Sequence, residues 1–136
     1  MDNSANRLQE VFFYGLYMDE NILKSKNVIP RNPRPASVNG YKLRIGKMAT
    51  LLRCKNSQAF GMVYSLTHAE INKLYIESGL TDYIAEAITV LIENKPLNTL
   101  CCNLLNPPQN EDSNNEYFEK LKICMNKYNL PIPNDC

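Results

Sequence analysis

The stretch "AFGMVYSLTHAEINKLY", Ala59 to Tyr75, constrains the fold more than any other part of the chain. Its first half carries β-branched, aromatic and long apolar side chains typical of a buried strand. Then Thr67 stands three residues before Glu70, the spacing of a capping box. In such a box the Thr hydroxyl takes the N–H of the third helical residue, and the Glu reaches back to the N–H of the cap. The strand therefore ends, and a helix begins, at Thr67. Ile71, Leu74 and Tyr75 recur at helical spacing and mark the buried face.

Around this junction the chain reads mostly as strands. "VFFYG" is a short buried strand ending at Gly15, and "MDENILKS" a short helix capped by Asp19 with Ile22 and Leu23 inward. "VIPRNPRPASVNG" holds three prolines and ends in Asn-Gly, so it reads as an ordered loop or extended crossing. "YKLRIGKM" alternates apolar and basic residues as a half-buried strand does. "ATLLRC" and "AFGMVYSL" are expected as two strands joined by a turn at "KNSQ". "LTDYIAEAITVLIEN" and "LNTLCCNLL" are further strands, and "NPPQNEDSNN" is a solvated loop. "EYFEKLKICMNKYNL" is an amphipathic helix with Tyr117, Leu121, Cys124 and Tyr128 on one face, stopped by Pro131. The pattern is α+β, with a small mixed β-barrel or strongly bent sheet flanked by helices. Residues 1–10 read as a flexible arm and 11–136 as one domain.

The 136 residues suffice for one domain with a core, and a formal net charge of +1 offers no electrostatic case for nucleic acid. No apolar run approaches the ~20 residues of a membrane span, and the polar "MDNSANRLQE" lacks the apolar centre of a signal peptide. A cytoplasmic location is expected. The five Cys include no C-x-x-C pair and only one His could join them, so reduced thiols are expected, with no zinc site and no disulfide framework. Cys101 and Cys102 point to opposite faces of their strand. His68 falls in the first turn of the capped helix, a surface position. No phosphate-binding glycine motif is present.

Two carboxylates draw notice. Glu77 lies at the end of the capped helix, where the macrodipole disfavours an anion and so favours a raised pKa suited to general acid/base work. Glu86 alternates with Tyr83, Ala85 and Ala87 and faces away from those three, as a surface carboxylate on a strand. Between the first strand and helix, Tyr14-Gly15 forms a turn whose backbone N–H groups can face an anion or a carbonyl oxygen.

Taken in order, these segments resemble the gamma-glutamylcyclotransferase superfamily. "FFYGLYM" resembles its opening Y-G-S-x-M or Y-G-T-L loop. "NGYKLRIG" resembles a Gly-aromatic pair leading into a strand, and "AFGMVYSLTHAEINKL" the strand-to-helix V-x-G-x-x-Y-x-L pattern. "ESGLTDYIAEAITV" resembles an E-G … Y … V-x-V segment, and "NNEYFEKLKICMNKYNLP" the closing helix. The likeness covers residues 11–131. It implies a mixed barrel whose cavity is lined by the Tyr-Gly loop. It also implies cyclisation of a gamma-glutamyl amine or peptide: the α-amine attacks the γ-amide carbonyl, releasing 5-oxoproline and a free amine. One carboxylate moves the proton, loop N–H groups hold substrate oxygens, and the resemblance implies no metal and no cofactor. Carried over by position, the substrate-binding residues are Tyr14, Gly15, Leu16, Tyr17, Met18 and Tyr83, with Glu77 the general base.

The departures fall on those same positions. With Leu74 and Gly79 as anchors, the base position is Ser78, and Glu77 stands one residue early. Such a step rotates a side chain by ~100° on a helix. Leu16 replaces a hydroxyl residue, and Tyr17 an Asn or Leu. Two readings follow: a cyclotransferase with Glu77 recruited as base, or a non-catalytic or repurposed member binding a small molecule in the same cavity. A protein-interaction role with a vestigial cavity is the third. The expected partner is a small gamma-glutamyl molecule, with no nucleic acid and no membrane, and the chain a monomer or weak dimer.

Overall fold

The strand-to-helix junction falls at Thr67, and both halves of the capping box form. The Thr67 hydroxyl accepts the Glu70 N–H at 3.1 Å, and the Glu70 carboxylate accepts the Thr67 N–H at 2.8 Å. A computed structural model describes residues 6–46, 48–80, 82–104 and 115–131. They form β1 (Leu8–Phe13), a 3-10 turn (Leu16–Met18), α1 (Glu20–Ser25), β2 (Arg31–Ile45) and β3 (Ala49–Thr67). Then come α2 (His68–Tyr75), β4 (Tyr83–Ile92), β5 (Lys95–Leu104) and α3 (Asn115–Lys127).

The strands close into a barrel in the order β1-β3-β2-β4-β5. Every neighbour is antiparallel except β5, which returns to β1 in parallel at Leu100 and Val11. The barrel is therefore mixed and the class α+β. No helix among the described residues is long and apolar enough to cross a membrane.

Period-two alternation along β1 divides the core into two. Val11 and Phe13 face outward and pack with Leu23, Leu74, Leu121 and Met125 beneath the helices. Phe12 and Tyr14 face inward and join Val38, Leu51, Val63 and Val90 inside the barrel. One short strand thus anchors both layers.

Three details differ from the sequence expectations. β1 begins at Leu8, so residues 8–10 belong to the sheet rather than to an arm. Residues 31–40, expected as a loop or crossing, open β2 instead. Pro33 and Pro35 are exposed there, and β2 pairs with β4 only at Ser37 and Leu91, so few ladder donors are needed on that side. Third, "ATLLRC" and "AFGMVYSL" are one strand. The register of β2 on β3 shifts between Asn39 and Tyr41, with Gly40 at φ 83° and Asn56 at φ 72° across the break. A bulge bends the hairpin without ending it. Of the expected loop "NPPQNEDSNN", residues 106–114 lie outside the described residues, and Asn115 opens α3.

Glu70 does more than cap. Its second oxygen accepts the Ile29 N–H at 2.7 Å, and Arg31 donates to the first at 2.7 Å. The side chain is only 8% exposed. Burial acts to raise its pKa, but these donors outweigh it and hold the carboxyl below its ordinary range. A lowered folded-state pKa stabilises the fold above the unfolded value and is lost as pH falls through the folded one. Glu70→Gln should therefore lose about 1.5–3 kcal/mol at pH 7 in urea unfolding. It should also lose less stability on acidification than the parent. An unchanged acid profile would count against this role.

Candidate functional site

β1 delivers Tyr14 and Gly15 to one end of the barrel. Gly15 is extended, at φ −113° and ψ −155°, and caps the 3-10 turn. The first N–H groups of such a turn have no partner within it. Leu16 donates its N–H to the Tyr117 hydroxyl of α3 at 3.1 Å. That hydroxyl lies so close to Gly15 that a Cβ there would overlap it. Glycine serves here by leaving space for that hydroxyl rather than by its dihedral range.

A cavity of about 300 Å³ opens beside this loop. Phe13, Tyr14, Gly15, Leu16 and Tyr17 form one wall, with Ile22 of α1. Met48 comes from the β2–β3 turn and Ala49 from the start of β3, Tyr75 from the end of α2 and Leu80 from the turn after it, Tyr83 from β4 and Tyr117 from α3. Five tyrosines share this space, and their hydroxyls turn to the protein. Tyr14 donates to the Cys102 carbonyl at 2.6 Å, Tyr17 to that of Leu74 at 2.9 Å, and Tyr83 to that of Ala49 at 2.6 Å. The Tyr75 hydroxyl is hydrogen-bonded with the Cys102 thiol. What remains to line the cavity is mostly ring.

Burial raises the pKa of all five phenols, and pushes the Cys102 thiol up to about 11. Each stays protonated near neutrality, so none is a base there. No carboxylate, amine or imidazole is among the described lining residues. Nor do the described residues group three or more His, Cys, Asp or Glu as metal ligands.

The end of α2 decides where Glu77 goes. Leu80 donates its N–H to the Tyr75 carbonyl at 2.7 Å and Gly79 to that of Ile76 at 3.2 Å, with Gly79 at φ 79°. This is a Schellman motif, which needs a left-handed residue and brings the flanking apolar pair together. That pair is Tyr75 and Leu80, both on the cavity wall. Glu77 is exposed and does not line the cavity. Ser78 donates to the Lys73 carbonyl at 2.7 Å and lies against the Tyr17 hydroxyl. Ser78, though exposed like Glu77, thus touches a cavity residue, and neither of the two lines the cavity.

Other sequence candidates fall as follows. Tyr14, Gly15, Leu16, Tyr17 and Tyr83 line the cavity. Met18 does not: it is fully buried in the core under the helices, and its carbonyl accepts the Tyr64 hydroxyl at 2.5 Å. Glu86 does face away from Ala85 and Ala87, but those two are the exposed residues. The glutamate is half-buried and accepts from the buried Asn103 amide at 3.1 Å. Asn103 also accepts the Leu51 N–H at 3.2 Å, stitching β5 to the start of β3. Sequence reading missed Tyr75, Leu80 and Tyr117 as cavity residues. Tyr75 and Tyr117 sit on apolar helix stripes and read as core, while Leu80 is signalled only by its place after Gly79.

A family model described as gamma-glutamyl cyclotransferase, AIG2-like, matches residues 11–120. The chain belongs to that family. No curated protein matches it significantly. Among solved structures, a gamma-glutamyl cyclotransferase superposes with a TM-score of 0.77 at 16% identity, over 96% of this chain and 91% of that one. An uncharacterised protein from Homo sapiens gives 0.76 at 16% identity, with the same coverage. A gamma-glutamyl cyclotransferase specific to glutathione, from yeast, gives 0.64 at 14% identity, over 90% and 88%. At such identities these likenesses establish the shared fold.

The Gly15–Tyr117 contact makes a measurable claim. Gly15→Ala should destabilise by about 1–3 kcal/mol through overpacking. Tyr117→Phe removes the atom in the way. In a double-mutant cycle the pair should therefore cost less than the sum of the single variants, by at least ~0.5 kcal/mol. Strict additivity would show that the two do not touch.

Proposed function

We propose that this protein binds a small molecule in the aromatic cavity without cyclising a gamma-glutamyl group there. One observation carries the reading. The position beside the cavity that calls for a base holds Ser78, and Glu77 points to solvent. A hydroxyl has no useful basicity near neutrality, and the phenols and thiol around it are held protonated. Intramolecular cyclisation gains much from holding the substrate bent. Yet a proton must still leave the attacking amine and reach the departing nitrogen, and the described wall offers no group for that transfer.

The family relation supports the other reading, in which Glu77 serves as base on a gamma-glutamyl amine or peptide. That reading requires the last turn of α2 to rotate and break the Schellman hydrogen bonds. Under either reading the partner is a small molecule. The four cysteines among the described residues that form no disulfide, Cys54, Cys101, Cys102 and Cys124, suit the cytoplasmic location we also propose.

The test is a panel of gamma-glutamyl amines and peptides incubated with the purified protein, read as 5-oxoproline released. The expected result is no release above the buffer rate. Turnover by the parent chain that disappears in Glu77→Gln would overturn the proposal and install the glutamate as base.

A further inference from the structure

The cavity's own chemistry narrows what it can hold, given the binding role proposed above. The side-chain donors a polar or anionic guest would call on are largely spent, with the Tyr14, Tyr17 and Tyr83 hydroxyls on backbone carbonyls, and the Leu16 N–H is taken by Tyr117. An ionised carboxylate would also find no cation among the described lining residues. Burying it unpaired is costly.

What the wall offers is ring. Phe13 and Tyr17 meet at 88° with centroids 6.1 Å apart, and Tyr17 and Tyr75 at 82° and 5.6 Å. Tyr75 and Tyr83 continue the row at 57° and 5.4 Å. Phe13, Tyr17, Tyr75 and Tyr83 all line the cavity, so this row of rings borders it. An aromatic face carries negative charge density and attracts a cation within about 6 Å of its centroid. A phenol that donates its proton to a carbonyl keeps electron density on its ring. The protein already uses one such face: the Lys26 ammonium stands 5.9 Å from the Tyr17 centroid. Lys26 is exposed, so water screens its repulsion of a second cation.

We propose that the cavity selects a compact organic cation, an alkylated ammonium group on an apolar body, held by the rings of Tyr17, Tyr75 and Tyr83. The cation meets the ring faces, its alkyl groups fill the apolar space, and no hydrogen bond is asked of the tied hydroxyls. A gamma-glutamyl head, which carries a carboxylate, fits this wall less well.

The test compares choline with the neutral alcohol in which a quaternary carbon replaces its nitrogen. The two share shape and differ in charge. Binding to the full chain is measured by NMR titration. Choline should bind about 10-fold more tightly, within the range a desolvated cation–π contact supplies. Tyr75→Phe keeps a ring and should keep that ratio, whereas Tyr75→Leu should bring it toward unity. Should Tyr75→Leu fail to fold, Tyr17→Leu asks the same question. Equal binding, or tighter binding of the alcohol, would overturn the cation selectivity while leaving the cavity a binding site. Binding of neither probe would overturn the cation proposal as well. Release of 5-oxoproline in the separate turnover assay would instead overturn the reading on which it rests.

Discussion

Glu70 accepts two backbone N–H groups and a guanidinium in a place where little water reaches. Three separate pieces of chain meet on that carboxylate: the end of β3, the first turn of α2 and the segment entering β2. An ionised group so placed is costly to bury alone, so its donors must stay in position. The consequence reaches the other end of the helix. With the start of α2 fixed at Thr67 and its packed face fixed by Leu74, Tyr75 must reach the cavity. Ile76 caps the helix, and the residues after it enter the turn that closes it. The exposed position of Glu77 thus follows from where the helix starts together with the turn that ends it.

The Schellman motif completes that constraint. Gly79 takes the left-handed conformation, Leu80 folds back on Tyr75, and both become cavity wall. Moving the Glu77 carboxylate inward means undoing this turn and separating that pair. The rest of the wall is made of phenols whose hydroxyls serve as structural ties between strands and helices. These ties stiffen the cavity and hide its polar atoms. The same residues that build the family's fold here leave a pocket poor in groups for proton transfer.

The chain displayed its architecture where one physical signal acted alone. The capping box, the alternation in "YIAEAITVLI" and the amphipathic stripe of α3 were each legible and each formed. It misled where two signals competed. Prolines argued against a strand at residues 31–40, but bulges and sparse pairing on one side accommodate them. "KNSQ" looked like a turn, yet a bulge absorbs it within β3. For Glu86, alternation gave two faces correctly but could not say which faced water, because closure of the barrel decides that. The cavity was legible along "YGLY" and at Tyr83, while its remaining walls come from helix ends and a turn far away in sequence. Tyr75 and Tyr117 read as core because a cavity wall and a core face use the same residues.

The central claim is geometric, and a crystal structure grown with a non-hydrolysable gamma-glutamyl analogue at millimolar concentration tests it most directly. Whether or not the analogue enters, the account predicts Glu77 in solvent and the Ser78 hydroxyl on the Lys73 carbonyl. It also predicts no carboxylate side chain within hydrogen-bonding distance, about 3 Å, of an amine held in the cavity. A structure in which the last turn of α2 has rotated, with the Glu77 carboxylate at the analogue's α-nitrogen, would contradict it.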